Sequence, residues 1–150
     1  MYNSEKCFRS VKCNVGDKAE FCKTISESDV YMFAGITGDM NPVHINEIEA
    51  TRSFVKKRIA HGALVNGMVS TVIGMKLPGP GTIYMEQNSK FVKPVYMGDT
   101  IKAVVEVQEI LNEAKGVMKL STIVFNQNDE IVMNGFAVVM VPKENMHEKD

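Results

Sequence analysis

No part of this 150-residue chain is apolar for the roughly 18 residues that a membrane-spanning helix requires. The polar start "MYNSEKCFRS" also lacks the apolar stretch of a secretion signal, so the expected location is the cytoplasm. An excess of one charge sign is missing too. Lys and Arg number 17 against 18 Asp and Glu, a net charge of −1, which gives no overall attraction to nucleic acid or to an anionic membrane surface. Cys7, Cys13 and Cys22 are odd in number and contain no CxxC pair. A disulfide framework or zinc site is therefore not expected, and the three thiols are read as non-catalytic. GxxxxGK[ST], GxGxxG and GxSxG do not occur, which removes phosphate-loop, dinucleotide and nucleophile-elbow chemistries.

What is present is the balance of a globular domain, with 45% apolar and 23% charged residues. The length suits one domain over 1–150, in which residues 1–15 and the tail 143–150, with His147, read as peripheral or frayed. "GDKAEFCKTI" reads as a strand after a Gly16-Asp17 turn. Ser26 with Asp29 three positions on forms a capping-box pattern ahead of Val30, Met32, Phe33 and Ile36, and this helix should stop at Gly38. Asn41 and Pro42 hold the next residues off helical geometry, and "INEIEATRSF" reads as a second short helix.

"ALVNGMVSTVIGMKL" is long, largely apolar and unbroken until "PGPG", the pattern of a helix buried on most of its surface. Its small residues Gly67, Ser70 and Gly74 are expected to admit other backbone elements closely. Four strand-like stretches follow: "TIYMEQNSKFVKPVYMGD", "TIKAVVEVQEI", "GVMKLSTIVFN" and "EIVMNGFAVVMVP", separated by turn signals. The expected class is α+β, an antiparallel sheet wrapped around a long helix.

Two places carry candidate chemistry. In "GDMNPVHINEIEATRSF", Asp39 and His44 flank Asn41-Pro42 directly after a helix. An imidazole with an ordinary pKa near 6.5 and a carboxylate near 3.9 make a usable pair for proton transfer near neutrality, and together they could bind and activate one water. The alternative is that Asp39 caps the chain after the helix while His44 packs. In the second place, His61-Gly62 opens the long helix, where unpaired backbone N–H groups can stabilise a developing oxyanion. The alternative is a plain helix start with His61 as cap. Asp39, His44 and His61 match no recognised metal-ligand spacing such as HExxH, so no metal is expected. Lys56, Lys57 and Arg58 form a small basic patch, either a solvated face or a contact for phosphates.

The run "GDMNPVHIN", then "IAHGAL", then "GPGTIYMEQNSKFVKPVYMGDTIKAVVEV" resembles the MaoC-like hydratases, especially the (R)-specific enoyl-CoA hydratases, from about Gly16 to Pro142. The resemblance implies a single hot dog fold and a homodimer or dimer of dimers. It also implies an acyl-CoA thioester substrate, no cofactor beyond the coenzyme A of that substrate, and no nucleic-acid or membrane partner. It implies that Asp39 and His44 hold the reacting water, that the Gly62 N–H meets the thioester carbonyl, and that Ser70 lies near the site. Asn41 and His61 would border the substrate and Ile73 and Val139 the acyl pocket; for the basic patch Lys56, Lys57 and Arg58, the phosphate alternative to a solvated face would then be a contact with coenzyme A. Arg58 stands where many relatives have proline or glycine, a departure expected to alter the loop over the substrate entrance.

The implied reaction is reversible addition of water to a trans-2-enoyl-CoA. A hot dog thioesterase is the enzymatic alternative, and a noncatalytic acyl-CoA binder the other. A base and an ordered water, which binding alone does not need, weigh against the binder.

Overall fold

The computed structural model describes residues 12–142. The readings made for the chain before 12 and from 143 on, including Cys7 and His147, lie outside the described residues. The leader expected to be peripheral through residue 15 is not wholly so, since Cys13 is buried in the core. Burial, and then the charge of Asp17, push its thiol up to about 11, so it is protonated at neutral pH.

Strand β1 (Lys18–Thr24) leads into helix α1 (Glu27–Thr37). The capping box forms as its spacing predicts: Asp29 N–H donates to Ser26 Oγ at 3.1 Å, and Ser26 N–H to Asp29 Oδ2 at 2.9 Å. Such a cap contributes about 1 kcal/mol. Gly38 closes the helix at φ 82°, a left-handed conformation that favours glycine, with its N–H on Ala34 O.

Between Gly38 and the short helix α3 (Glu47–Arg52) the sequence led to a loop. The structure instead has a helical turn, α2 (Pro42–Ile45). Asn41 itself is non-helical, but Pro42 occupies the first helical position, where its missing N–H would have had no partner anyway. Proline here starts a helix that it would have broken further along.

Helix α4 (Gly62–Met75) buries Val65, Met68, Val69, Val72 and Ile73, the three-and-four spacing of one helical face. It packs against β1, β3 (Thr100–Asn112) and β4 (Val117–Phe125). With β2 (Ile83–Phe91) and β5 (Ile131–Met140) these form one antiparallel sheet in the order β1-β3-β4-β5-β2. Ile101, Ala103, Val105 and Val107 on β3, and Met118, Leu120 and Val124 on β4, are fully buried at alternate positions, as a half-buried strand requires. Thr122 shares that face, and its Oγ1 accepts from Gln87 Nε2 at 3.1 Å. The buried apolar residues of α4 and the sheet form one core cluster, an α+β arrangement with the sheet wrapped around α4.

Two expectations need correction. Among the described residues, no backbone element packs closely on the small residues of α4. Cβ atoms built at Gly67 and Gly74 meet nothing within 4 Å, and Ser70 is exposed, because the helix lays its other face on the sheet. The stretch read as one strand through Asp99 ends at Phe91. Val92 and Lys93 both turn their N–H groups to Val132 O, and Pro94 has no N–H for a ladder.

That break matters for the site. Ala60 N–H donates to Val95 O at 2.8 Å and Ile59 N–H to Val43 O at 3.2 Å. The segment that enters α4 is therefore fixed between the chain after β2 and helix α2. No described helix is long and apolar enough to cross a membrane.

Candidate active site

Gly38, α2 and the entry to α4 bring three side chains together. Asp39, His44 and His61 each offer one ligand-type atom, and these atoms lie within 4.8 Å of one another. A water donating one O–H to each of two acceptors at hydrogen-bond distance spans acceptors about 4.5 Å apart. The bound on the distance between the carboxylate and an imidazole nitrogen is close to that span. The same spacing would admit a metal ion by distance alone.

His44 is 8% exposed and its ring is oriented by the chain. Its Nδ1–H donates to Ile59 O at 2.7 Å. A carbonyl can only accept, so in the neutral imidazole Nε2 carries a lone pair. Burial is the largest effect on its pKa and lowers it. The Ile59 carbonyl opposes that, the neighbouring His61 lowers it further, and Asp39 opposes. The balance favours neutral His44, a base at physiological pH.

Asp39 is exposed, with its Oδ1 accepting the Asn41 N–H at 3.2 Å and its backbone carbonyl turned inward to His61. Asn41, counted among substrate contacts from the sequence, caps α2: its Oδ1 accepts the Val43 N–H at 3.3 Å. Its polar oxygen serves the fold.

His61 also departs from its expected role. It is 2% exposed, stacked on His44 with ring centroids 3.8 Å apart and set against Phe33 at 4.8 Å. Its Nε2–H donates to Asp39 O at 3.0 Å, and Nδ1 has no hydrogen-bond partner among the described residues. A group so enclosed orients others and does not border a substrate. It ties the backbone of the carboxylate residue to the ring of the base.

At the start of α4, His61 occupies the cap position but makes no side-chain cap bond. The first N–H groups of the helix, Gly62 among them, are therefore not capped by it. A Cβ at Gly62 would lie 3.1 Å from the Phe91 ring. Beside it is an apolar cavity of about 410 Å³ bordered by Phe54, Val55, Ile59, Phe91 and Val132. Ile73 and Val139, assigned to an acyl pocket from the sequence, are instead packed in the core at 2% and 0% exposure.

The basic patch divides. Lys56 and Lys57 are exposed. Arg58 turns away from solvent, its guanidinium on Glu47 at 2.8 Å, on Tyr31 Oη at 2.7 Å and on Glu27. Two carboxylates already neutralise it, so the expectation that it meets phosphate is withdrawn. Ile59 O, Phe33 and the Arg58 partners were not assigned from the sequence. A backbone carbonyl leaves no residue-type signal, and Glu27, Tyr31 and Glu47 lie up to 31 positions from Arg58.

Known proteins resemble the chain along most of its length. A sequence model described as MaoC like domain matches residues 12–128. A protein of Rhodospirillum rubrum named (R)-specific enoyl-CoA hydratase is 47% identical over 127 residues, 85% of this chain and 87% of that one. A Methylorubrum extorquens protein named 3-hydroxybutyryl-CoA dehydratase is 44% identical over 122 residues, 81% and 76% of the two chains. Among solved structures, the unliganded R-hydratase of Pseudomonas aeruginosa superposes with a TM-score of 0.84 at 40% identity, covering 91% of this chain and 88% of its own. The sheet wrapped around α4 is the hot dog fold of these hydratases.

Proposed function

This chain belongs to the MaoC-like domain family, and on that premise we propose that it is an (R)-specific enoyl-CoA hydratase, a hydro-lyase that adds water reversibly to trans-2-enoyl-CoA. The observation that carries the reading is the closeness of Asp39 to His44, whose Nδ1–H is committed to Ile59 O. A carboxylate and a neutral imidazole this close suit a water that must lose a proton as it attacks.

In the hydration direction the water oxygen bonds to C3 while the Asp39–His44 pair accepts one water proton. Electron density moves through C2 onto the thioester oxygen, where the Gly62 N–H donates to the developing enolate. The pair then returns a proton to C2 as the enolate collapses. Atoms balance: one water enters, and one C–O and one C–H bond form. No metal or redox cofactor takes part, and the only cofactor moiety is the coenzyme A of the substrate. The apolar cavity beside Gly62 would offer the thioester an apolar wall, and Lys56 and Lys57, both exposed, would meet the coenzyme A phosphates.

The proposal includes a homodimer or dimer of dimers. Among the described residues, edge strand β2 pairs with β5 alone and exposes Ile83, Met85 and Phe91, an apolar edge of the kind proteins usually cover. Ser70, exposed on α4, would then face the substrate path or the partner.

The test is incubation of the purified protein with crotonyl-CoA in the presence of a chelator. Loss of enoyl-thioester absorbance without release of thiol, and a chiral (R)-3-hydroxybutyryl product, are expected. Free thiol without hydration would point to a thioesterase, and tight binding without turnover to a carrier.

A further inference from the structure

Resting on that hydratase reading, we propose that Arg58 is a positioning residue for His44: its guanidinium ties the helices on either side of α2 to the segment whose Ile59 carbonyl orients the imidazole.

Every arm of the fork is used. Nε donates to Glu47 on α3 at 2.8 Å, Nη1 to Tyr31 Oη on α1 at 2.7 Å, and Nη2 to Glu27 on α1. Tyr31 Oη–H donates to Glu27 Oε1 at 2.9 Å, and the guanidinium carbon lies 5.7 Å from the Tyr31 ring centroid, so the partners also hold one another. Isolated surface ion pairs contribute little, but a planar fork with a network of partners is the exception. The Arg58 side chain is only 15% exposed.

The next residue carries the consequence. Ile59 N–H donates to Val43 O, and Ile59 O accepts from His44 Nδ1–H at 2.7 Å, so one residue grips two neighbours on α2. Glu27 and Tyr31 precede α2 in the chain and Glu47 follows it. Arg58 thereby closes a ring around Asp39 and His44. Without it the carbonyl is held only by the Ile59–Val43 and Ala60–Val95 backbone hydrogen bonds, the imidazole gains freedom to turn over, and the lone pair at Nε2 loses its single direction. A lysine presents a point charge and no fork, and cannot serve three acceptors in one plane.

The experiment uses Arg58→Gln, Arg58→Lys and Glu47→Gln, the last weakening one arm by removing its charge while keeping the cation. Long-range proton–nitrogen NMR of the imidazoles in the resting protein reports the His44 tautomer without any turnover. The wild type should show a single form with the proton on Nδ1. Arg58→Gln should show a mixture, with Arg58→Lys and Glu47→Gln in between. Hydration kinetics should fall in kcat by roughly ten- to a hundredfold in Arg58→Gln. The loss should be equal for crotonyl-CoA and for crotonyl-N-acetylcysteamine, which carries no phosphate, with KM little changed.

A loss seen only as raised KM for the coenzyme A ester would overturn the proposal and make Arg58 a phosphate contact. An unchanged tautomer in the folded variants would overturn it as well. Should Arg58→Gln fail to fold, the two milder variants decide. If the wild type hydrates neither thioester, the hydratase reading fails while the tautomer spectrum still tests the positioning role.

Discussion

The imidazoles of His44 and His61 lie stacked, with centroids 3.8 Å apart and planes tilted by 28°, and each ring donates to a different backbone carbonyl, Ile59 O from His44 and Asp39 O from His61. The pair joins the carboxylate loop, the turn α2 and the entrance to α4 into one unit. Buried rings so close disfavour protonation of His44.

The pH profile should reflect that. Burial first, then His61, hold His44 below the ordinary histidine value, so it stays neutral to lower pH than a free imidazole near 6.5. The acid limb of kcat/KM, which reports the free enzyme, is expected below about pH 6.5. The same shift contributes to stability. That contribution is complete above the unfolded histidine's pKa and is lost as pH falls through the lower folded value. An acid limb clearly above the ordinary value would contradict this environment for His44.

Gly62→Ala separates the backbone donor from plain packing. The added methyl would lie 3.1 Å from the ring of Phe91, which is half exposed and can yield, so the fold should survive. Crowding the N–H should nevertheless lower kcat/KM roughly ten- to a hundredfold, the scale of a weakened oxyanion donor. Adding Phe91→Ala relieves the clash but does not clear the N–H. Recovery of the double variant to wild-type rate would show that only packing was at stake.

Gly135 tests the sheet. A Cβ there would sit 1.8 Å from the carbonyl oxygen of Asn88, where β5 and β2 approach. Neither backbone can withdraw without breaking the ladder. Gly135→Ala should cost about 3 kcal/mol or more, the upper end of overpacking effects, measured by denaturant unfolding. A change under about 0.5 kcal/mol would mean that the strands sit further apart than described.

Much of this architecture was legible in the residues. The alternation of Val105 and Val107 with Glu106 and Gln108, the Ser26–Asp29 box and the Gly38 stop are local rules, and local structure obeyed them. Proline at 42 was harder, because the same ring breaks a helix or begins one according to position. The glycines of α4 suggested close packing, but which face of the helix meets the sheet is a tertiary fact, and theirs does not. In the site, Asp39 and His44 stand out by residue type and spacing. The buried place of His61, the Ile59 carbonyl and the Arg58 fork depend on chain crossings that no local pattern encodes.

The most direct measurement is the hydration rate of Asp39→Asn with crotonyl-CoA, beside the thermal unfolding and circular dichroism of the same sample. Asp39 is exposed, and the amide keeps an oxygen for the Asn41 N–H, so the fold should be unchanged. The account predicts a loss in kcat of about a thousandfold, within the range for removing a general base. A folded Asp39→Asn enzyme working within about tenfold of wild type would contradict it.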